Sequence, residues 1–192
     1  MTADPLPTRL LTSAEFAALP EMEGRYELQG GNVVMSPSAI PEHQIAIDEL
    51  ATQLRGQVPD GLWQVQAIDI DLELVPTGRP GYVRIPDLVV VTGDGLRRRA
   101  REGGIIRARE VVLAVEVLSP GSSRIDRTLK RAEYADAGIP YYWVIDIEGR
   151  PTLSACHLAG EFGYADDGPA TGTFTSDVPF PVLLDLDALV RP

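Results

Sequence analysis

The stretch Val111–Leu118, with the sequence VVLAVEVL, decides the fold of this chain. Every residue in it except Glu116 is apolar, and an apolar run without polar alternation is typical of a central strand covered on both faces. An ionised carboxylate inside such a strand is costly unless a cation, hydrogen-bond donors or a cleft surrounds it. Glu116 is therefore the first candidate for a functional residue.

A second acid repeats this anomaly upstream. Asp87 lies at the head of an apolar run in residues 85–91, IPDLVVV, which predicts a strand next to that of Glu116. Two carboxylates on adjacent strands can converge on one hard cation through their oxygens and leave positions for water and phosphate. Taken alone, either acid has a simpler explanation as a strand-end carboxylate that pairs with an arginine or caps a turn.

Lys130 is the single lysine of the chain, against sixteen arginines. It lies in a helix predicted directly after the Glu116 strand. Lysine is a compact charge whose pKa can shift, whereas arginine stays protonated, so a site that orients a nucleophilic water can require lysine specifically. The simpler alternative is a solvated helix face on which Asp126 and Lys130 pair at i, i+4 spacing.

Periodicity and turn residues predict the remaining elements. Helices are predicted from residue 12, where a capping box begins, from residue 41 and over residues 123–137; strands are predicted at 25–28, 32–35, 63–74, 83–91, 110–118, 141–147 and 152–158, and a last strand with a short helix at 183–189. Together they predict an α/β (α+β) fold, a mixed sheet with helices packed against it. One domain is expected over residues 1–192, with residues 1–9 as a flexible N-terminal segment.

The formal net charge of −11 argues against a protein that coats nucleic acid or anionic membrane by bulk electrostatics. One basic segment with glycines on both sides interrupts this acidity and predicts a loop between two strands. Its arginines, six within thirteen residues, are Arg97, Arg98, Arg99, Arg101, Arg107 and Arg109. Either this loop contacts phosphate, or it is solvated and keeps a sheet edge soluble.

Cysteine usage and the N-terminal sequence bear on the compartment. Cys156 is the single cysteine, so there is no disulfide framework, and with His157 alone beside it a zinc site lacks ligands. The chain begins with an acid where a signal peptide carries basic residues, and no window approaches the roughly 18 apolar residues of a membrane span. These features predict a soluble cytoplasmic protein that does not enter the membrane.

Three weaker signals have structural explanations. His43, at the start of the second helix, is expected to pack or cap rather than to act as a base. The alternating acids Asp69, Asp71 and Glu73 predict a solvated strand face. Trp143 is expected in the core or in an interface rather than as a platform for base stacking.

Several of these residues fall in motifs that resemble the Uma-two family of the PD-(D/E)XK, restriction-endonuclease-like superfamily. The motifs are YEL at 26–28, NVVMSP at 32–37 followed by His43, PD at 86–87, EVLSP at 116–120, DRTLKR at 126–131, YADAGIP at 134–140 and YWVID at 142–146. The resemblance runs in order over residues 10–190 and is most specific from Glu116 to Asp146.

The resemblance implies a mixed-sheet core flanked by helices, dependence on Mg²⁺ or Mn²⁺, and endonucleolytic hydrolysis of nucleic acid, with DNA as the expected substrate. Asp87 matches the first acid of the superfamily motif and Glu116 the second. Leu118 stands where the superfamily has lysine, and the resemblance implies that Lys130 on the following helix substitutes for it. Glu27 matches an upstream acid that some members add to the metal site.

The predicted metal ligands are therefore Asp87, Glu116 and Glu27, with the Val117 carbonyl as a further candidate, while Lys130 orients or deprotonates the attacking water. Residues expected to line the cleft are His43, Ser119, Asp126 and Tyr134, and those expected to contact phosphate are Arg97, Arg98, Arg99 and Arg101. A homodimer is also expected, since many superfamily nucleases pair. The alternative function is a catalytically idle module that oligomerises or binds a protein partner, which the net acidity and the lack of a recognisable DNA-reading motif favour.

Overall fold

The structure, a computed structural model, describes residues 7–20, 23–36, 40–118 and 126–191. The helices are α1 (Ser13–Ala17), α2 (Pro41–Leu54), α3 (Gly93–Glu102) and α4 (Arg131–Asp136), and one turn of π-helix at Asp126–Lys130 runs into α4. The strands are β1 (Tyr26–Gln29), β2 (Asn32–Met35), β3 (Leu62–Gln66), β4 (Ile70–Asp71), β5 (Val83–Arg84), β6 (Leu88–Thr92), β7 (Ile106–Arg107), β8 (Val111–Leu118), β9 (Tyr141–Asp146), β10 (Thr152–Leu158), β11 (Tyr164–Thr171), β12 (Thr173–Ser176) and β13 (Val182–Asp185). Short 3₁₀ turns lie at Ala108–Glu110, Gly160–Phe162 and Leu186–Val190.

Six strands form the larger sheet, in the order β11-β10-β9-β8-β6-β3. Within it β8 runs parallel to β9 and antiparallel to β6, so the sheet is mixed. A smaller sheet has the order β2-β1-β5-β4-β7, and β12 pairs with β13. The predicted mixed sheet with flanking helices is confirmed.

Both faces of β8 are buried, as its apolar sequence predicts. Leu113, Val115 and Val117 pack into one core together with α2 and β13. Ala114 and Leu118 pack into a second core on the other face, to which α4, β4 and β7 contribute. The strand that carries Glu116 therefore has no solvated side.

The elements that carry the candidate residues meet at one end of the larger sheet. Because β6 and β8 are antiparallel and Leu88 pairs with Val115, the start of β6 and the end of β8 lie at the same end. The first turn of α2 reaches this end too, since His43 contacts the carbonyl oxygen of Val117. The fold thus places Asp87, just before β6, close to the end of β8.

The single strand predicted over residues 63–74 is wrong. β3 ends at Gln66 and pairs with β6 in the larger sheet, whereas β4 belongs to the smaller sheet. Ala67 between them has a φ of 49°, in the left-handed region that a strand does not use. The strand predicted at 83–91 is likewise divided between β5 of the smaller sheet and β6 of the larger one.

The arginine-rich segment forms a helix rather than the predicted loop. α3 begins directly after β6, where the Thr92 side chain accepts a hydrogen bond from the backbone N–H of Gly95. A Cβ at Gly95 would lie 2.8 Å from the Cβ of Glu110, so this glycine allows the helix start to pack closely. The glycines that suggest a loop in the sequence are thus used for a helix.

Other predictions have mixed outcomes. The terminal strand and short helix are confirmed as β13 and the turn Leu186–Val190, and Cys156 and Trp143 are buried as structural residues. β11 and β12 are not among the predicted strands. The helix predicted at 123–137 is seen from Asp126 onward, and its first residues lie outside the described residues.

In the described part of the chain, none of the helices has the length and apolar character needed to cross a membrane.

Candidate active site

Asp87 is buried and tied to the end of β8. Its Oδ2 accepts a hydrogen bond at 2.9 Å from the backbone N–H of Val117, the residue next to Glu116. The Arg25 guanidinium donates to Oδ1 at 3.3 Å. One carboxylate therefore receives a backbone donor and a cation at once.

His43 connects Asp87 to β8 a second time. Its Nε2 lies 3.2 Å from Asp87 Oδ2 and 2.9 Å from the carbonyl oxygen of Val117. Because both neighbours are acceptors, Nε2 carries a proton. Nδ1 of His43 is buried, and it has no hydrogen-bond partner among the described residues. The imidazole thus occupies the point on which a carboxylate oxygen and a carbonyl oxygen converge.

These two side chains shift each other's pKa. Burial alone would raise the pKa of the Asp87 carboxyl, but the hydrogen bond and charge of His43, with help from Val117 N–H and Arg25, hold it below its usual value. Burial alone would lower the pKa of His43, but the Asp87 carboxylate outweighs burial and raises it. Both shifts favour a carboxylate beside an imidazolium.

Glu116 is only 2% exposed, and donors surround it. Its Oε1 accepts hydrogen bonds from Lys130 Nζ at 3.0 Å and from the Tyr134 hydroxyl at 2.8 Å. Burial and the negative charge of Glu116 raise the pKa of Tyr134 well above its usual value, so this phenol remains a hydrogen-bond donor. The π-helical turn and α4 thus supply the hydrogen-bond donors that the buried carboxylate of β8 needs.

Lys130 bridges two acids. Its Nζ lies 3.3 Å from Glu27 Oε1 as well as 3.0 Å from Glu116 Oε1. Glu27 Oε1 also accepts the backbone N–H of Ile85 at 3.1 Å. The single lysine is therefore buried among carboxylates, which contradicts the alternative of a solvated helix face.

Arg84 and Glu133 complete this cluster, and the sequence analysis missed both. Arg84 donates to Glu27 Oε2 at 2.9 Å and to the two oxygens of Glu133 at 2.6 and 2.7 Å. Arg84 stands between Val83 and Ile85, so it carries the same signal of a charge in an apolar strand that marks Asp87. Glu133 gives no such signal, because acids are common on helix faces.

The network joins most of the predicted residues, namely Glu27, His43, Asp87, Glu116, Lys130 and Tyr134. Ser119 and the side chain of Asp126 lie outside the described residues. On α3, Arg98 is buried and bonded to Glu110 and to the carbonyl of Ile105.

The other expected phosphate contacts also lie on α3, and they are exposed. Arg97 pairs with Asp94 at 2.8 Å. Arg99 and Arg101 are exposed, and among the described residues neither forms an ion pair. Of the arginines on α3, Arg99 and Arg101 are therefore the two without an ion pair to a described residue.

The donor types at the sheet end suit a hard divalent cation. Asp87, Glu116, Glu27 and the Val117 carbonyl offer oxygens, which Mg²⁺ and Mn²⁺ prefer. Protein cations contact the same oxygens, because His43 lies between Asp87 and Val117 while Lys130 touches both glutamates. In the portion of the chain that the structure describes, no three His, Cys, Asp or Glu side chains are grouped to hold a metal ion. The residues fit a cation in donor chemistry, and binding requires the imidazole or the ammonium to move aside.

The sequence model of the Uma2 family, described as "Putative restriction endonuclease", matches residues 13–181. A solved structure from Anabaena variabilis ATCC 29413, described as "a putative nuclease belonging to DUF820", is similar with a TM-score of 0.67 and 20% sequence identity, and the match covers 94% of this chain and 97% of that chain. No curated protein gives a significant match. The structural likeness confirms the expected restriction-endonuclease-like fold.

Proposed function

The chain belongs to the Uma2 family, and on that premise we propose that it is a metal-dependent endonuclease whose active site is built around Asp87, Glu116 and Lys130. Membership of this family supports a nuclease-like, hydrolytic function with nucleic acid as substrate. The observation that carries the proposed site is the burial of two strand acids and the chain's only lysine in one network at the end of the larger sheet. Buried ionisable groups with shifted pKa values cluster at functional sites.

Asp87 and Glu116 would hold Mg²⁺ or Mn²⁺, with Glu27 and the Val117 carbonyl as further oxygen ligands. When bound there, the cation supplies polarisation of a phosphoryl oxygen and acidification of a water molecule. The chain's own contribution is to keep Asp87 ionised. The lowered pKa of Asp87 serves this purpose, because a carboxyl group that held its proton would be a poor ligand.

In this proposal Lys130 acts on the attacking water. Its Nζ lies between two carboxylates and can redirect one of its three hydrogens to a water or to a phosphate oxygen. A positive charge at this place offsets the negative charge that builds on the phosphate during attack. Arg84 donates hydrogen bonds to Glu27 and Glu133, and it thereby holds Glu27 in place beside Lys130.

The variant Glu116→Gln tests this proposal, since it keeps the shape of the side chain and removes its charge. Cleavage of supercoiled plasmid or single-stranded DNA in Mn²⁺ should fall by roughly a hundredfold or more. Glu148→Gln, on the exposed turn between β9 and β10, is the matched control and should cleave as the wild type does. Undiminished cleavage by Glu116→Gln would refute the site.

One observation favours the second candidate function, a catalytically idle module that binds a protein partner. Each candidate ligand already has a protein cation beside it, namely Arg25 and His43 for Asp87 and Lys130 for the glutamates. Titration with Mn²⁺ separates the two functions. If the site is that of a nuclease, Mn²⁺ should raise the melting temperature of the wild type and not that of Asp87→Asn. If the chain is an idle module, Mn²⁺ should raise neither melting temperature.

A further inference from the structure

A groove of about 350 Å³ lies beside the candidate active site. Its walls are largely apolar and include Val65, Ile68, Leu96 and Ile106, while two charged residues, Asp69 and Arg99, also line it. Apolar walls with a few polar groups are typical of ligand sites, which have volumes of about 300–1,000 Å³. The groove is therefore large enough for a planar ring system.

The groove adjoins the proposed active site through the backbone. Ala67, on its wall, donates its backbone N–H to the carbonyl oxygen of Asp87 at 3.1 Å. β4 begins just after Asp69, and its Ile70 pairs with Arg84, the residue that binds Glu27. A strand of nucleic acid whose phosphate lies at Asp87 would thus bring a neighbouring nucleotide to the groove.

Asp69 differs from the two acids that follow it in the chain. Asp71 accepts a hydrogen bond from the Ser13 hydroxyl at 2.8 Å, and Glu73 pairs with Arg109. Asp69 is half-buried, and among the described residues it makes neither a hydrogen bond nor an ion pair. Asp69 and Asp71 are half-buried and only Glu73 is exposed, so the solvated face expected for all three acids is wrong for Asp69 and Asp71.

Charged residues lie near Asp69. Burial and the negative charge of Glu27 raise the pKa of its carboxyl, and the positive charge of Arg99 opposes this rise. Arg99 lines the same groove, and it forms no ion pair with Asp69 or with any other described residue. A carboxylate and a guanidinium group thus line one groove, and they affect each other by charge without forming an ion pair.

We propose that this groove receives a base next to the scissile phosphate, that Asp69 accepts hydrogen bonds from the edge of that base, and that Arg99 contacts an adjoining phosphate. This inference rests on the proposed nuclease function and adds a nucleotide preference to it. Base-processing proteins read an unstacked base by stacking on apolar walls and by hydrogen bonds to its pairing edge. The groove offers both kinds of contact.

The chemistry of a carboxylate selects guanine among the bases. Both oxygens of Asp69 are acceptors, so the matching base has two donors side by side. Guanine presents N1–H and the N2 amino group on its pairing edge. Adenine and cytosine place a ring acceptor beside their amino group, and this acceptor would face a carboxylate oxygen. The preferred substrate is therefore a strand with guanine beside the cleaved bond.

The test is the binding of short single-stranded oligonucleotides that carry a fluorophore and one guanine, measured by anisotropy in Ca²⁺ and again in EDTA. Replacing the guanine by inosine deletes the N2 amino group and should weaken binding to the wild type by roughly tenfold. Asp69→Asn should bind both oligonucleotides equally. Arg99→Gln should weaken binding to both and leave their ratio unchanged.

Asp94→Asn is the matched control, since Asp94 is an exposed acid at the start of α3. It should keep the tenfold ratio. A wild type that binds guanine and inosine oligonucleotides equally, or binds neither, overturns the proposal, and this measurement needs no variant to fold.

The same oligonucleotides separate a failure of the groove from a failure of the active site. Glu116→Gln should lose cleavage and keep the guanine ratio in binding. If Glu116→Gln still cleaves, the active site is wrong while the ratio in the wild type still decides the groove. If the ratio is one while Glu116→Gln is inactive, the groove is wrong and the active site stands.

Discussion

Lys130 has a structural role in the buried cluster, and the proposed function adds a chemical role to it. It is buried between Glu116 and Glu27, where two carboxylates without a cation would repel each other and lose hydration. A cation of any shape could meet that structural need. Only a compact and mobile ammonium can also turn toward a water molecule, which explains a lysine in a chain that otherwise uses arginine.

Two variants of Lys130 separate these roles. Lys130→Met should lower the free energy of unfolding by about 3 kcal/mol, because it leaves buried carboxylates without their cation. Lys130→Arg should recover most of that stability and little of the cleavage, since the planar fork cannot take the place of the ammonium. Urea denaturation and plasmid cleavage measure the two effects. Wild-type cleavage by Lys130→Arg would show that charge alone suffices.

His43 lies where a cation would contact Asp87 and the Val117 carbonyl. Removing the imidazole should destabilise the chain by about 1–3 kcal/mol, because two buried acceptors lose their donor. It should also tighten Mn²⁺ binding, since the cation no longer has to displace a side chain.

The measurement is the Mn²⁺ concentration that gives half of the thermal shift in His43→Ala. That concentration should fall several-fold below the wild-type value. Gln44→Ala, an exposed change in the same turn of α2, is the control. Weaker Mn²⁺ binding by His43→Ala would mean that His43 is itself a ligand or holds the ligands in place.

At the scale of elements, α3 is held by a buried ion pair. Arg98 donates to both oxygens of Glu110 at 2.5 and 2.8 Å, and the backbone N–H of Arg107 donates to Glu110 as well. The Arg98 hydrogen bond, which is the largest cause, holds the pKa of Glu110 below its usual value. The pair fixes the helix against the turn that leads into β8.

This lowered pKa predicts a pH-dependent stability. A carboxyl whose pKa is lower in the folded chain stabilises it above the usual glutamate pKa, and this contribution is lost as the pH falls through the lowered value. Glu110→Gln should therefore cost about 2 kcal/mol near neutral pH and progressively less in acid. Urea denaturation of both proteins over a pH series measures the difference, with Glu148→Gln as control. A difference that stays constant into acid would contradict the ion pair.

Elements were predictable where one local pattern was enough. The apolar run of β8 identified a central strand, and the helix predicted over residues 123–137 ends within one residue of the end of α4 at Asp136. The single strand predicted over residues 63–74 failed because the apolar positions change from odd to even numbers between Ala67 and Ile68, and this change of phase was not used. At that point the left-handed φ at Ala67 moves the chain from one sheet to the other.

The candidate site was predictable for a similar reason. Asp87 and Glu116 interrupt apolar strands, and Lys130 is the single lysine, so each is visible without knowledge of its partners. Glu133 was missed because its importance depends on contacts distant in sequence. Arg84 and Glu133, for example, are 49 residues apart. Such pairings become visible only when the strands are assembled.

In the whole molecule, the candidate site residues lie together at one end of a sheet that has a core on each face, in a chain with a formal net charge of −11. Its overall charge repels nucleic acid, so the proposed binding would depend on local cations such as Arg99 and on the proposed metal. The fold supplies the rigid strands from which Asp87 and Glu116 extend. It also supplies α2 and α4, which bring His43 and Lys130 to the same acids.

A crystal structure of the chain soaked in Mn²⁺, with anomalous diffraction to locate the metal, tests whether Asp87 and Glu116 share one metal ion. We expect one peak about 2.1 Å from oxygens of both Asp87 and Glu116, with the His43 imidazole moved away from the Val117 carbonyl. A peak elsewhere, or no peak while His43 and Lys130 keep their contacts with the two acids, would refute the shared site.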